Sequence, residues 1–344
     1  MKEQIIKKET ELANCNYVKA ILMLIIVLYH SMVMYAGDGS WSPVRPAAIA
    51  PFIGFVALWL NTFCVYVFTL VSGYLFYYVK YERGGYAQYI PFLVNKSKRL
   101  LVPYLFIATV WVVPVYMFYY GTDRVIQNFV FGLAPNQLWF LLMLFWLFVM
   151  FWFISDLANK HIGLGAVIVC FLFVLGMFVP NLWCIARGMK FMIFFYLGFV
   201  IRKLNLGNRL LYRIPSIIYI LCSILLFVVL EFFDENILGA VPFLGDIATT
   251  LLQIAGSVGF FVVLQKLVSH IPQNDKVARF LSKHSMVIYL IHQQLIYFSI
   301  SWFNEIVPPG ILVLINFAFS LAVSSLIAVI LSKSRITRFL VGSN

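Results

Sequence analysis

The sequence predicts an all-α fold, a polytopic transmembrane bundle of about ten spanning helices with both termini in the cytoplasm. Three observations carry that prediction. The first is composition. The 344 residues are 63% hydrophobic, 18% aromatic and only 11% charged, with a mean hydropathy of +0.94. Soluble domains carry about 25% charged residues, so a chain this apolar has no adequate polar surface to present to water. The second is the recurrence of apolar runs near the ~20 residues that cross a hydrocarbon core. The third is the distribution of Lys and Arg along the chain.

The spans fall at roughly 18–36, 52–79, 100–120, 137–155, 163–180, 189–202, 214–233, 247–268, 285–304 and 310–332. The sixth is short and could extend back to Trp183. The first run has no small-residue cleavage pattern after it and many further spans follow, so it is expected to stay in the protein and not to be cleaved as a leader. Residues 1–17 read as a short amphipathic or interfacial cytoplasmic lead-in, and 333–344 as a cytoplasmic tail. No long linker, low-complexity tract or repeat is visible, and no loop is large enough to fold by itself. Residues 1–344 therefore read as a single domain.

Charge tests the topology. With the N-terminus inside, only Arg45, Arg124, Arg187 and Lys190 of the 25 basic residues fall on outer segments. Lysines and arginines concentrate on cytoplasmic segments in membrane proteins. The net charge of +12 then follows from topology and an anionic inner leaflet, and calls for no nucleic-acid partner. The basic inner loops could also meet an anionic cytosolic ligand. The cysteines Cys15, Cys64, Cys170, Cys184 and Cys222 mostly sit in or beside apolar runs and form no CxxC pair. They read as small apolar residues, and no metal site is expected.

The most informative polar residues are Lys19 and His30 of the first span. Eleven residues separate them, which is nearly three whole helical turns. They therefore share one helix face about 16 Å apart along the axis. An ionisable side chain deep in a span is costly and suggests function, and imidazole suits proton transfer near neutral pH. Two readings of His30 stand level, a general base and an interhelical hydrogen bond. Lys19 alone is an ordinary snorkelling lysine; the pairing on one face raises its interest. In the ninth span Ser285, Tyr289 and His292 recur at i, i+4 and i+7. That polar stripe lines a cavity or bonds to a neighbouring helix. Ser72-Gly73 offers small residues for close helix approach, and packing is the favoured reading of Gly73. Arg99, at an inner edge, is a topogenic charge or a bidentate contact to phosphate or carboxylate. Trp139 belongs to an outer aromatic belt. Arg187 and Lys190 break the charge rule and either snorkel or attract an anionic substrate. No acidic residue neighbours His30; Asp38 could orient its ring only if the helix runs that far, and Glu231 and Asp246 lie at other span ends.

Taken in order, these motifs resemble the acyltransferase 3 family of bacterial ten-helix membrane acyltransferases over nearly the whole chain. Lys19 and His30 match its basic-x10-His pattern, where the family has Arg or Lys. SGYLF (Ser72 to Phe76), KRLLVPY (Lys98 to Tyr104), LWFL (Leu138 to Leu141), FFYLG (Phe194 to Gly198) and SMVIYLIH (Ser285 to His292) look like its later motifs. The resemblance implies an enzyme of the bacterial inner membrane that takes an acyl group, usually acetyl, from cytosolic acetyl-CoA. It delivers that group to a hydroxyl of an extracytoplasmic glycan or lipid-linked sugar. His30 would be the catalytic histidine, as general base or transient acyl carrier. Lys19 would assist it and, with Arg99, meet the anionic CoA end. Arg187, Trp139, Tyr289, His292 and Ser72 would serve the acceptor side. Some members carry a fused extracytoplasmic hydrolase-like domain. This chain stops soon after its tenth span, so transfer is expected to be direct or through a separate extracytoplasmic partner. Rival readings are a polysaccharide or lipid-linked-sugar transporter without acyl transfer, and a non-enzymatic scaffold. The two halves show no matching hydropathy of the kind inverted-repeat transporters display, and the intramembrane histidines argue mildly against a scaffold.

Overall fold

A computed structural model describes residues 2–37, 39, 41–206, 211–234 and 242–342. Every element among them is helical. In chain order the α-helices are α1 (Lys2–Met32), α2 (Pro51–Asn61), α3 (Cys64–Tyr77), α4 (Tyr89–Lys96), α5 (Val102–Ile107), α6 (Val113–Tyr120) and α7 (Trp139–Lys160). They continue with α8 (Ile162–Phe178), α9 (Ile185–Lys203), α10 (Ser216–Asp234), α11 (Pro242–Ser269), α12 (Lys276–Phe303), α13 (Pro309–Leu331) and the short α14 (Arg335–Leu340).

Among the described residues eight helical stretches are long and apolar enough to cross a membrane, against ten expected. The fifth and seventh expected spans form the helices Ile162–Phe178 and Ser216–Asp234, near the lower end of the length a crossing needs. Several of the eight also outrun their apolar cores. The third begins at Tyr89 and the ninth expected span at Lys276, because Lys, Arg and Gln propagate a helix well and keep their heads in water while their stems lie on apolar surface. The third stretch is not uniform. Wide π turns at Ser97–Leu101 and Ala108–Val112 precede Pro103 and Pro114. Proline offers no N–H to the carbonyl four residues back and its ring crowds that carbonyl, so the ladder opens there.

The chain forms two compact units. The first comprises Met1–Ile26, Leu58–Tyr78 and Phe194–Ser282, and the second comprises Val27–Ala57, Val79–Ile193 and Lys283–Asn344. In the first, glycine sets the packing of α3 on α9. A Cβ on Gly73 would lie 1.8 Å from the Phe195 carbonyl oxygen, and one on Gly198 would lie 1.9 Å from that of Leu70. Two backbones therefore touch, as small residues permit in membrane helices, and Gly73 is a packing residue as its sequence context suggested. Phe63 stacks on Phe260 at 3.6 Å, and Arg202 donates to the Tyr74 hydroxyl at 2.9 Å. Gly73→Ala is expected to cost about 1–3 kcal/mol through overpacking, read as a lowered thermal midpoint of the detergent-solubilised protein. A midpoint equal to wild type would show that the helices separate without penalty.

In the second unit α12 is the central element. Every residue from Val287 to Tyr297 except Tyr289 is buried, so this helix has no free polar face and must satisfy its polar groups within the protein.

Candidate active site

The site grows from that constraint. α1 carries His30 in its last turn and α12 carries His292 near its middle. His30 Nδ1 lies 2.7 Å from His292 Nε2, and His292 Nδ1 lies 2.7 Å from the Tyr289 carbonyl oxygen one turn back. A carbonyl only accepts, so His292 Nδ1 carries the proton. With both rings neutral, His292 Nε2 is then bare and accepts from His30 Nδ1–H. That leaves His30 Nε2 as a lone-pair nitrogen. One backbone carbonyl thus sets the tautomer of two imidazoles, the arrangement by which a ring nitrogen is made ready to take a proton. His292 is fully buried while His30 is half-buried. The inner end of the relay is sealed and the outer end is reachable.

Neighbouring elements hold the relay. Three successive carbonyls of α12 each accept a side-chain N–H: Tyr289 from His292, Leu290 from Gln137 Nε2 at 2.9 Å, and Ile291 from Trp111 Nε1 at 3.2 Å. Gln137 and Gln294 pair their amides reciprocally at 2.6 and 3.0 Å, and the Tyr289 hydroxyl donates to the Gln137 carbonyl. Beside His30, the Asn316 amide reaches the Ser31 carbonyl at 3.4 Å and accepts from Ser299 Oγ at 2.6 Å. Buried polar networks that are satisfied in this way fix one arrangement of their helices. Beyond α1, Asn304 accepts from the Ala47 N–H at 3.1 Å and donates to the Arg45 carbonyl at 2.8 Å. That loop places Trp41 against His30, ring centroids 5.3 Å apart and 14° from parallel.

The predicted site residues separate into groups. His30, His292 and Tyr289 come together, the last two with rings 5.8 Å apart. Arg187 and Trp139 form a cation–π pair at 4.5 Å, and Trp139 meets Phe140, whose ring meets Tyr289. Arg99 is exposed on its π turn. Near it the Tyr86 phenol is pushed up by burial, with the Arg99 charge acting the other way; that phenol receives Lys96 Nζ at 2.9 Å. In the first unit, Lys19 Nζ lies 5.9 Å from the Phe68 ring centre, and the Ser72 hydroxyl donates to the Phe68 carbonyl of its own helix at 2.9 Å. Asp38 lies outside the described residues. Among the described residues no group of three or more His, Cys, Asp or Glu could hold a metal ion.

Sequence reading missed Trp41, Gln137, Gln294, Asn304 and Asn316. The amides at 137, 294 and 316 carried a usable signal, because polar side chains within apolar runs must find partners. Trp41 carried none, since a loop tryptophan near a membrane surface is ordinary.

Apolar helices of crossing length with an oriented imidazole pair among them describe a multi-pass membrane protein. The chain belongs to the Acyl_transf_3 family: the family's acyltransferase-domain model matches residues 12–332, nearly its whole length. The protein is therefore a membrane acyltransferase. No curated protein and no solved structure matches the chain.

Proposed function

We propose that this acyltransferase works in the bacterial cytoplasmic membrane and moves an acetyl group from cytosolic acetyl-CoA to a hydroxyl of an envelope polysaccharide or lipid-linked sugar. The observation that carries the reading is the tautomer relay, which leaves His30 Nε2 unprotonated on the half-buried ring of the pair. His30 Nε2 takes the proton of the acceptor hydroxyl as its oxygen attacks the thioester carbonyl. The C–S bond then breaks, and the imidazolium returns the proton to the CoA sulfur. His292 is the positioning residue. Lys19 and Arg99 attract the anionic end of CoA, and Arg187, Trp139 and Tyr289 serve the acceptor side, with Ser72 as a further acceptor-side residue. Transfer to the acceptor is direct or runs through a separate extracytoplasmic partner.

The test uses membranes with and without the protein, radiolabelled acetyl-CoA, and envelope polysaccharide stripped of esters by mild alkali. The expected result is alkali-labile label in the polysaccharide, with one CoA thiol released per ester formed. Label from another acyl-CoA alone would change the acyl group. If no acyl-CoA is consumed, acyl transfer is wrong and polysaccharide export takes its place.

A further inference from the structure

The indole of Trp41 has no part in the proton relay, yet it is stacked on the reactive ring. Parallel rings with centroids 5.3 Å apart and a van der Waals gap of about 3.5 Å are displaced sideways by roughly 4 Å. Much of the indole therefore extends past the imidazole. Trp41 is half-buried and packs beside the buried Tyr297. Tyr297 meets the indole at 5.3 Å in an edge contact, and Tyr119 meets Tyr297 at 6.0 Å.

Resting on the acyl-transfer reading above, we propose that Trp41 is a stacking platform for the acceptor, and that the acceptor is a pyranose ring. The lone pair of His30 Nε2 lies in the imidazole plane, so a hydroxyl must approach edge-on. A pyranose lying on the overhanging part of the indole sits beside the imidazole and presents its equatorial hydroxyls in that same plane. Its apolar C–H face meets the indole and its equatorial hydroxyls stay free to reach the imidazole. Asn304 keeps the platform in place by bonding both Arg45 and Ala47 in the Trp41 loop.

The test uses the full-length protein in lipid nanodiscs and alkali-stripped envelope polysaccharide as the probe. Equilibrium binding is measured in the His30→Ala background with Trp41, Trp41→Leu and Trp41→Phe, and transfer rates are measured against polysaccharide concentration in the His30 background. Trp41→Leu is expected to weaken binding and raise the polysaccharide KM by at least about tenfold, with acetyl-CoA KM unchanged. Trp41→Phe should stay within about threefold of wild type, because a ring remains. Unchanged binding and KM in Trp41→Leu would overturn the platform. So would absence of polysaccharide binding to any variant, or equal loss of kcat in Leu and Phe variants with polysaccharide KM unmoved, which would make Trp41 a packing residue of His30. Trp41-dependent binding without any transfer would keep the platform and overturn the transferase reading instead.

Discussion

His30→Ala abolishes acyl transfer to the polysaccharide while the protein stays in the membrane at wild-type abundance. The expected loss is about 10²–10⁴-fold, the range over which a positioned acid–base group contributes. The variant removes the only nitrogen that the relay leaves bare on the half-buried ring. It also leaves His292 Nε2 without its partner, so some instability is expected and must be separated from chemistry. Added imidazole makes that separation. The truncated side chain leaves room for a free imidazole between Trp41 and His292, both in contact with His30. Restoration of transfer by imidazole, saturable and absent in wild type, identifies a missing base and not a collapsed site. His30→Gln keeps polar volume without a basic nitrogen and should be as inactive as alanine. Transfer within threefold of wild type in either variant would remove His30 from the mechanism. An acyl group trapped on His30 in wild type as an N-acylimidazole, labile to acid, base and hydroxylamine, would make it an acyl carrier instead of a base.

Much of the helical architecture was legible because hydropathy is a one-dimensional signal. Apolar runs located the spans, and the fifth came out short where Ile162–Phe178 closes near the lower limit of a crossing length. Gly73 was legible as packing because a small residue in a membrane helix has few other uses. His30 and His292 each stood out as an imidazole in an apolar run. Their pairing did not, because 262 residues separate them and nothing in one helix states which face of another it will meet. Lys19, the nearest sequence partner of His30, was visible through helical spacing alone. The partners that act on the ring, His292 and Trp41, come from a distant helix and from a loop.

Replacing His292 tests whether the second imidazole acts through the first. His292→Phe keeps a buried ring of similar bulk but accepts no hydrogen bond. His30 Nδ1–H then has no partner, and the proton can sit on either nitrogen. The form with Nε2 protonated cannot take a proton from a hydroxyl, and the ring is free to rotate. Where an orienting partner that fixes a catalytic histidine's tautomer has been replaced, rates fall by up to about 10⁴-fold. A fall of about 10²–10³-fold in kcat is expected here, with acetyl-CoA KM unchanged, because His292 is fully buried and touches no donor. His292→Gln offers a carbonyl oxygen in place of Nε2, and its amide N–H₂ can turn to the Tyr289 carbonyl that His292 Nδ1 now serves. It should recover at least tenfold over phenylalanine. Imidazole should not rescue His292→Phe, since His30 still fills the site. That contrast with His30→Ala divides the two histidines into one that takes the proton and one that aims the nitrogen. Equal impairment of the glutamine and phenylalanine variants at equal abundance would mean that His292 only packs. Activity within threefold of wild type in His292→Phe would mean that the tautomer of His30 is set elsewhere.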